Sequence, residues 1–200
     1  MTYQSSHPHY HELEIGDYPS GKLLLVEPKI KHAKQSLNWI KDPEVIKFVD
    51  TDFANSSLKS EQNRLKEIIN SQNEYHWMIE LNGNIIGNVS LHSIAQASKN
   101  NGVKTGIPAI LIGDKNYWRK GIGSSVLKTV IHWAFTEADF KLITARVLQE
   151  NLASQKNLEK LGFKPDGNEP YKGLINGKKT IWKKYKLINM TNKGSQEINC

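Results

Sequence analysis

Eleven consecutive residues, Asp114-Lys-Asn-Tyr-Trp-Arg-Lys-Gly-Ile-Gly-Ser124, combine what the binding of a polyanion requires. Gly121 and Gly123 stand two apart, and a glycine lets the backbone approach a phosphate oxygen closely. An apolar run precedes the segment and an amphipathic one follows, so the glycines fall where a helix begins. There the first amides lack an intrahelical acceptor, and the helix dipole adds roughly half a positive charge. Arg119 and Lys120 supply full charges suited to a pyrophosphate. The same residues also fit a plain strand-to-helix turn with solvated basic side chains, because a short glycine motif has little specificity alone.

Other residues can move protons. Glu80 and His92 lie in alternating runs that read as strands, and Asp114 ends the next apolar run. Each is a candidate base, and each also fits a structural part: a solvated carboxylate, a satisfied strand histidine, a turn-forming aspartate. Covalent catalysis finds no nucleophile. The one cysteine is Cys200, the last residue, which excludes an intramolecular disulfide, and no Gly-x-Ser-x-Gly elbow is present. His7, His9 and His11 alternate in His-Pro-His-Tyr-His and, if extended, share a side that can take a metal. They read more simply as exposed tail histidines, and no metal is expected.

A scaffold must hold these groups. Two hundred residues suit one domain that buries roughly 70% of its unfolded surface. The net charge of +7 favours anionic partners: nucleic acid, a membrane surface or a polyphosphate cofactor. No apolar run approaches the roughly 18 residues needed to span a bilayer, and a basic-then-apolar secretory leader is missing, so a cytoplasmic protein is expected.

Residues 1–20 read as a flexible lead-in, 21–188 as the domain and 189–200 as a flexible tail. A strand over 22–27 is ended by Pro28. Ala33, Leu37 and Ile40 mark a helix, Asp42 with Pro43 begins a second, and Ser60 caps a third with Leu65, Ile68 and Ile69 as its inner stripe. Residues 75–81 alternate as a strand, Asn82-Gly83 turns, and 86–92 returns. Residues 96–106 read as a surface loop and 108–113 as a strand buried on both faces. Ile122, Val126, Leu127, Val130, Ile131, Ala134 and Phe135 line one face of the clearest helix. A strand over 142–148 follows, and strand, helix, strand implies a right-handed crossover between parallel strands. Asn151 caps the next helix, Gly162 stops it with Phe163 folding back, and a last hairpin turns at Asn176-Gly177.

Downstream of the glycine loop runs Asn151-Leu-Ala-Ser154-Gln-Lys-Asn157-Leu-Glu-Lys-Leu-Gly162-Phe163. With it the chain resembles the GNAT superfamily of N-acetyltransferases. Their signature, Gln/Arg-x-x-Gly-x-Gly/Ala, joins the fourth strand to the third helix, and Trp118, Gly121 and Gly123 take its places in register. The second stretch is similar to Asn-x-x-Ser/Ala followed by Lys-Leu-Gly-Phe. The likeness spans roughly residues 22–188. The form Tyr-Trp-x-Lys-Gly, with Trp39-Ile-Lys-Asp-Pro-Glu-Val45 upstream, is most similar to the subgroup of ribosomal-protein N-terminal acetyltransferases, which also holds enzymes for amino sugars, polyamines and aminoglycosides.

The resemblance implies an α/β (α+β) fold: a mixed, mostly antiparallel sheet of about seven strands, splayed between the fourth and fifth, with helices on both faces. It implies acetyl-CoA as cosubstrate, no metal, and direct transfer to a primary amine in a ternary complex. Cofactor-binding positions carried over are Ile110, Leu111 and Ile112 along the fourth strand, Trp118, Arg119, Lys120, Gly121, Ile122, Gly123 and Ser124 in the loop, and Asn151, Ser154 and Asn157 beyond. Leu158 stands where many relatives carry a tyrosine acid, so Ser154 becomes the candidate acid for the departing thiolate, as in the resembled subgroup. Amines with a pKa near ~10 must lose a proton before attack, which calls on Glu80, His92, Asp114 or a water chain. A peptide N-terminus or an amino sugar suits a basic surface better than a polycation does. A monomer or homodimer without membrane contact is expected. Two alternatives remain: an acyl-CoA sensor without turnover, and a nucleic-acid module built on the lysines at 178, 179, 183, 184 and 186 with Trp182 and Tyr185.

Overall fold

The computed structural model describes residues 12–18, 21–49, 53–71, 74–94, 103–175 and 177–189. His7, His9, His11, Cys200, Asn176 and most of the expected 96–106 loop lie outside these. One open sheet of eight strands runs in the order β1-β2-β3-β4-β5-β6-β8-β7. Its elements are β1 (Leu13–Tyr18), β2 (Gly21–Val26), α1 (Ala33–Ile40), α2 (Leu58–Asn70), β3 (Glu74–Leu81), β4 (Asn84–Ile94), β5 (Thr105–Ile112), α3 (Ile122–Thr136), β6 (Leu142–Leu148), α4 (Leu152–Lys160), β7 (Lys164–Ile175) and β8 (Lys178–Ile188). The pairs β1/β2, β2/β3, β3/β4, β6/β8 and β7/β8 are antiparallel. β5 and β6 are parallel, paired at Thr105↔Leu142 and Gly106↔Ile143. The expected mixed α/β architecture is therefore present, with eight strands rather than about seven.

The added strand is β1, in the stretch read as a lead-in. Gly16 sits at φ +122° and the β1/β2 register shifts between Glu14 and Gly16, so the alternation that announces a strand is broken by a bulge. The expected second helix is absent. Residues 42–49 form turns in which the Asp42 carbonyl accepts from the Val45 and Ile46 amides and its carboxylate accepts from the Glu44 amide. One turn does not offset the unfavourable nucleation of a helix. The cap of α2 moves from Ser60 to Ser57. Ser57 Oγ accepts from the Ser60 amide at 3.2 Å and Ser60 Oγ from the Ser57 amide at 2.8 Å, a reciprocal box with Ser60 at its third helical place.

Two compact units divide the chain: residues 1–92 with 108–130, and residues 93–107 with 131–200. In the first, Leu23, Leu25, Trp77, Ile79, Leu81, Val89 and Leu91 are buried at alternate strand positions. On the other face of β3, Met78 packs with Trp39 and Val45, joined by Val26, Ile85, Leu111 and Trp118. In the second unit the buried set includes Phe140, Ile143, Ala145, Val147, Leu148, Leu158, Phe163, Trp182 and Tyr185. Among the described residues no helix is long and apolar enough to cross a membrane.

Candidate anion-binding site

β5 leads into the glycine loop, and its expected burial on both faces is not what forms. Residues 107–112 are half-buried or exposed, so Ile110, Leu111 and Ile112 present apolar surface that the first unit leaves partly uncovered. The strand's end is fixed from β4. Ile86 is an extra residue in the β3/β4 ladder, between the pairs Glu80↔Ile85 and Ile79↔Gly87, and its carbonyl accepts from both the Gly113 and Asp114 amides at 2.9 and 3.0 Å. Close approach makes two glycines obligatory here. A Cβ on Gly87 would lie 2.3 Å from the Leu111 carbonyl oxygen, and one on Gly113 would lie 2.0 Å from the Trp39 ring.

Beyond Gly113 the Asp114 carboxylate accepts from the Asn116 amide at 2.9 Å and caps a short 3-10 turn over Lys115–Tyr117. Lys115 bridges to Asp42 at 2.8 Å and Glu44 at 2.9 Å, tying the 42–49 turns to the loop. The hydrogen bond from Lys115 holds the Asp42 carboxyl below its ordinary range. Trp118 packs with the Trp39 cluster and donates its indole N–H to the Ile112 carbonyl at 2.7 Å, so a side chain rather than chance sets the loop's exit.

Arg119 then adopts φ +60° and Gly121 φ +80°. Two left-handed residues around Lys120 wind the chain into the first turn of α3, where the Ser125 amide donates to the Gly121 carbonyl at 3.1 Å. Arg119, Lys120 and Gly121 are exposed. Lys120 Nζ lies 5.4 Å from the Tyr117 ring centroid. Gly123 rests on β5, its missing Cβ 3.9 Å from Ile110 and Ile112. Tyr18, at the end of β1, shares a 2.6 Å hydrogen bond between its hydroxyl and Ser125 Oγ. Two left-handed residues at a helix start, with two exposed cations beside them, are an arrangement that can take an oxyanion.

The loop thus joins Ile110, Leu111, Ile112 and residues 118–124 in one unit. Asn151, Ser154 and Asn157 belong to the second unit. There Asn151 caps α4 as expected, its carboxamide oxygen accepting from the Ser154 amide at 3.1 Å. Gly162 at φ +90° closes the helix, with Gly162 N–H donating to the Glu159 carbonyl and Phe163 N–H to that of Leu158. Leu158 is buried. Glu80 is half-buried on β3 and, by alternation, on the face of Met78. His92 is engaged by Glu74 and Ser90. Tyr18 and the Ile86 bulge were not marked by any sequence motif, and Trp39 was marked only as the first residue of the Trp39–Val45 stretch, with no place in the site assigned to it.

The family model described as acetyltransferase (GNAT) domain matches residues 22–164. The chain is 28% identical over 137 residues to the probable N-acetyltransferase YjcK of Bacillus subtilis (strain 168), over 66% of this chain and 70% of that one. Among solved structures it is similar to RimL, a ribosomal L7/L12 alpha-N-protein acetyltransferase in complex with coenzyme A, with TM-score 0.72 and 15% identity over 88% of this chain and 98% of that one. It is also similar to MccE, a microcin C7 self-immunity acetyltransferase in complex with acetyl-CoA and AMP, with TM-score 0.70 and 18% identity over 87% and 99%. At such identities the structural likeness bears on the fold.

Proposed function

Because the chain belongs to the acetyltransferase (GNAT) family, with acetyl-CoA as its cosubstrate, we propose that it transfers the acetyl group directly to a primary amine: a peptide N-terminus or a small amine such as an amino sugar. The observation that carries the reading is the exposed glycine loop at the start of α3, wound by Arg119 and Gly121 and continuous with the half-covered run Ile110–Ile112. The carrier's pyrophosphate takes the amides of Gly121, Ile122, Gly123 and Ser124 with Arg119 and Lys120, beside Trp118. Its pantetheine arm follows β5, and a β5 amide polarises the thioester carbonyl as the oxyanion forms. Asn151 and Asn157 are assigned to the arm as well. Ser154, in the first turn of α4, returns a proton to the leaving thiolate.

The attacking amine must first be deprotonated. Asp114 already accepts from Asn116, and both His92 nitrogens are engaged, whereas Glu80 shares the face of Met78, where Trp118 and Leu111 pack. Glu80 is therefore the proposed proton acceptor, with His92 and Asp114 as the comparison variants. The Tyr117-Trp-x-Lys-Gly form of the loop, which resembles that of the ribosomal-protein N-terminal acetyltransferase subgroup, and the basic charge favour a peptide N-terminus or a nucleotide-linked amino sugar over a polyamine. The setting proposed is cytoplasmic, as monomer or homodimer. An acetylation assay with mass detection over ribosomal N-terminal peptides, amino-sugar nucleotides and polyamines tests the class. Acetyl-CoA binding with no product on any amine would refute transfer, and Glu80→Gln retaining wild-type kcat/KM while Asp114→Asn or His92→Asn loses it would reassign the base.

A further inference from the structure

Glu74, His76 and His92 form a second constellation, on β3 and β4. Glu74 and His92 face each other in the ladder, and His76, two residues along, shares their face opposite Ser90. The carboxylate meets both rings: His76 Nε2 lies 2.9 Å from Oε2, and His92 Nδ1 lies 2.9 Å from Oε1. One ligand atom from each of the three residues falls within 4.8 Å of the others. The rings stand edge to face with centroids 5.4 Å apart.

We propose that this cluster binds a divalent cation of borderline softness, represented by zinc, through His76 Nε2, His92 Nδ1 and the Glu74 carboxylate. Zinc bonds of about 2.0–2.2 Å in tetrahedral array set neighbouring donors roughly 3.4 Å apart, so the two contacts need to widen by only about half an ångström. Glu74, 39% exposed, has room to do so, and the same exposure at His92 leaves the fourth position to water. His76 is 13% exposed, so its ring is held in place within the sheet while its Nε2 faces the carboxylate. The other nitrogen of His92 is held at 3.0 Å by Ser90 Oγ. When Nε2–H donates to Ser90, the Nδ1 lone pair faces a carboxylate oxygen, an arrangement that a cation between them relieves and that orients the ring as outer partners of metal ligands do. Among the described residues, the charged groups that act on His76 are Glu74, His92 and, from α2, Arg64, whose guanidinium is paired with Glu61 at 2.9 Å. Two imidazoles and one carboxylate select zinc, cobalt or nickel over magnesium or calcium, which prefer all-oxygen sets. The bound ion would clamp the start of β3 to the end of β4, and it takes no part in acyl transfer.

The test uses the full chain, stripped with a chelator and titrated with zinc by calorimetry, with cobalt absorption as the readout of coordination. One zinc per chain is expected at this site, with a four-coordinate cobalt band, at least a hundredfold weaker binding in the double variant His76→Asn/His92→Asn, and about tenfold weaker binding in Ser90→Ala. Undiminished zinc affinity and stoichiometry in the double variant would overturn the site and place the metal on His7, His9 and His11. Acetyl-CoA binding reports whether that variant is folded. If it is not, Glu74→Gln and Ser90→Ala decide, and wild-type zinc affinity in both refutes the proposal.

Discussion

Replacing Gly123 with alanine separates carrier binding from folding. Gly123 is the second residue of α3, and a Cβ there meets Ile110 and Ile112 at 3.9 Å, an ordinary van der Waals contact. Alanine is favoured over glycine within a helix by roughly 0.5–1 kcal/mol, so Gly123→Ala should hold or raise Tm, by about 1–4 °C for a chain of this size. The carrier's phosphate, by contrast, is proposed to lie against this stretch of backbone, and a methyl group keeps it away. Losing one hydrogen bond to a charged group costs about 1.5–3 kcal/mol, which is roughly a 10- to 150-fold rise in Kd. Gly121→Ala gives the opposite pattern in the folded state. Its φ is +80° and only the Tyr18 hydroxyl comes near, at 3.9 Å, so the penalty is conformational, roughly 1–2 kcal/mol and about 2–8 °C in Tm. Calorimetric titration with acetyl-CoA and thermal unfolding of the three proteins measure both effects. Wild-type Kd in Gly123→Ala, with its stability intact, would refute the loop as the phosphate receptor.

Three further outcomes are expected. Arg119→Ala/Lys120→Ala should weaken acetyl-CoA binding about tenfold at low ionic strength and less as salt rises, since both side chains are exposed and screened; a loss independent of salt in titrations at two ionic strengths would deny them a charge role. Burial, with Lys31 and Lys29 nearby, pushes the His32 imidazole down to about 4. The folded state then binds fewer protons than the unfolded one, so the contribution is complete above about pH 6.5 and is lost as pH falls toward 4, at most about 3 kcal/mol; urea midpoints that decline equally in wild type and His32→Asn over this window would contradict it. Trp39→Ala removes a 4% exposed indole from the space opposite Gly113 and should lower stability by roughly 3–5 kcal/mol in urea unfolding, and a loss under about 1 kcal/mol would show that the site collapses without cost.

What the sequence discloses follows the range of its signals. Helix α4 is legible because its determinants are local: Asn151 caps it, Gly162 ends it at φ +90°, and Phe163 folds back, all within thirteen residues. The Asn82-Gly83 turn is equally local, with φ of +51° and +76°. β5 misleads because an apolar run announces desire for cover without naming the cover, and Ile110–Ile112 are left half-exposed by their own unit. The place of Trp39 is illegible for a different reason: the Trp39–Val45 stretch marks the residue, but only the chain's return at Gly113 gives its ring a place.

The histidine cluster shows how one residue can hide a site. A two-residue turn at Asn82-Gly83 starts the hairpin at Leu81↔Asn84 and Glu80↔Ile85. Continued without interruption, that register sets Glu74 opposite Leu91 and His76 opposite Val89, with both polar side chains on the face where Val89 and Leu91 are buried. Ile86 inserts itself, the ladder slips by one, and Glu74 meets His92 while His76 meets Ser90. The same inserted residue turns its carbonyl to the Gly113 and Asp114 amides and so fixes where the glycine loop begins. Bulges carry no composition of their own, and this one sets both constellations, so the positions of the loop and of the cluster are coupled through the backbone of a single isoleucine.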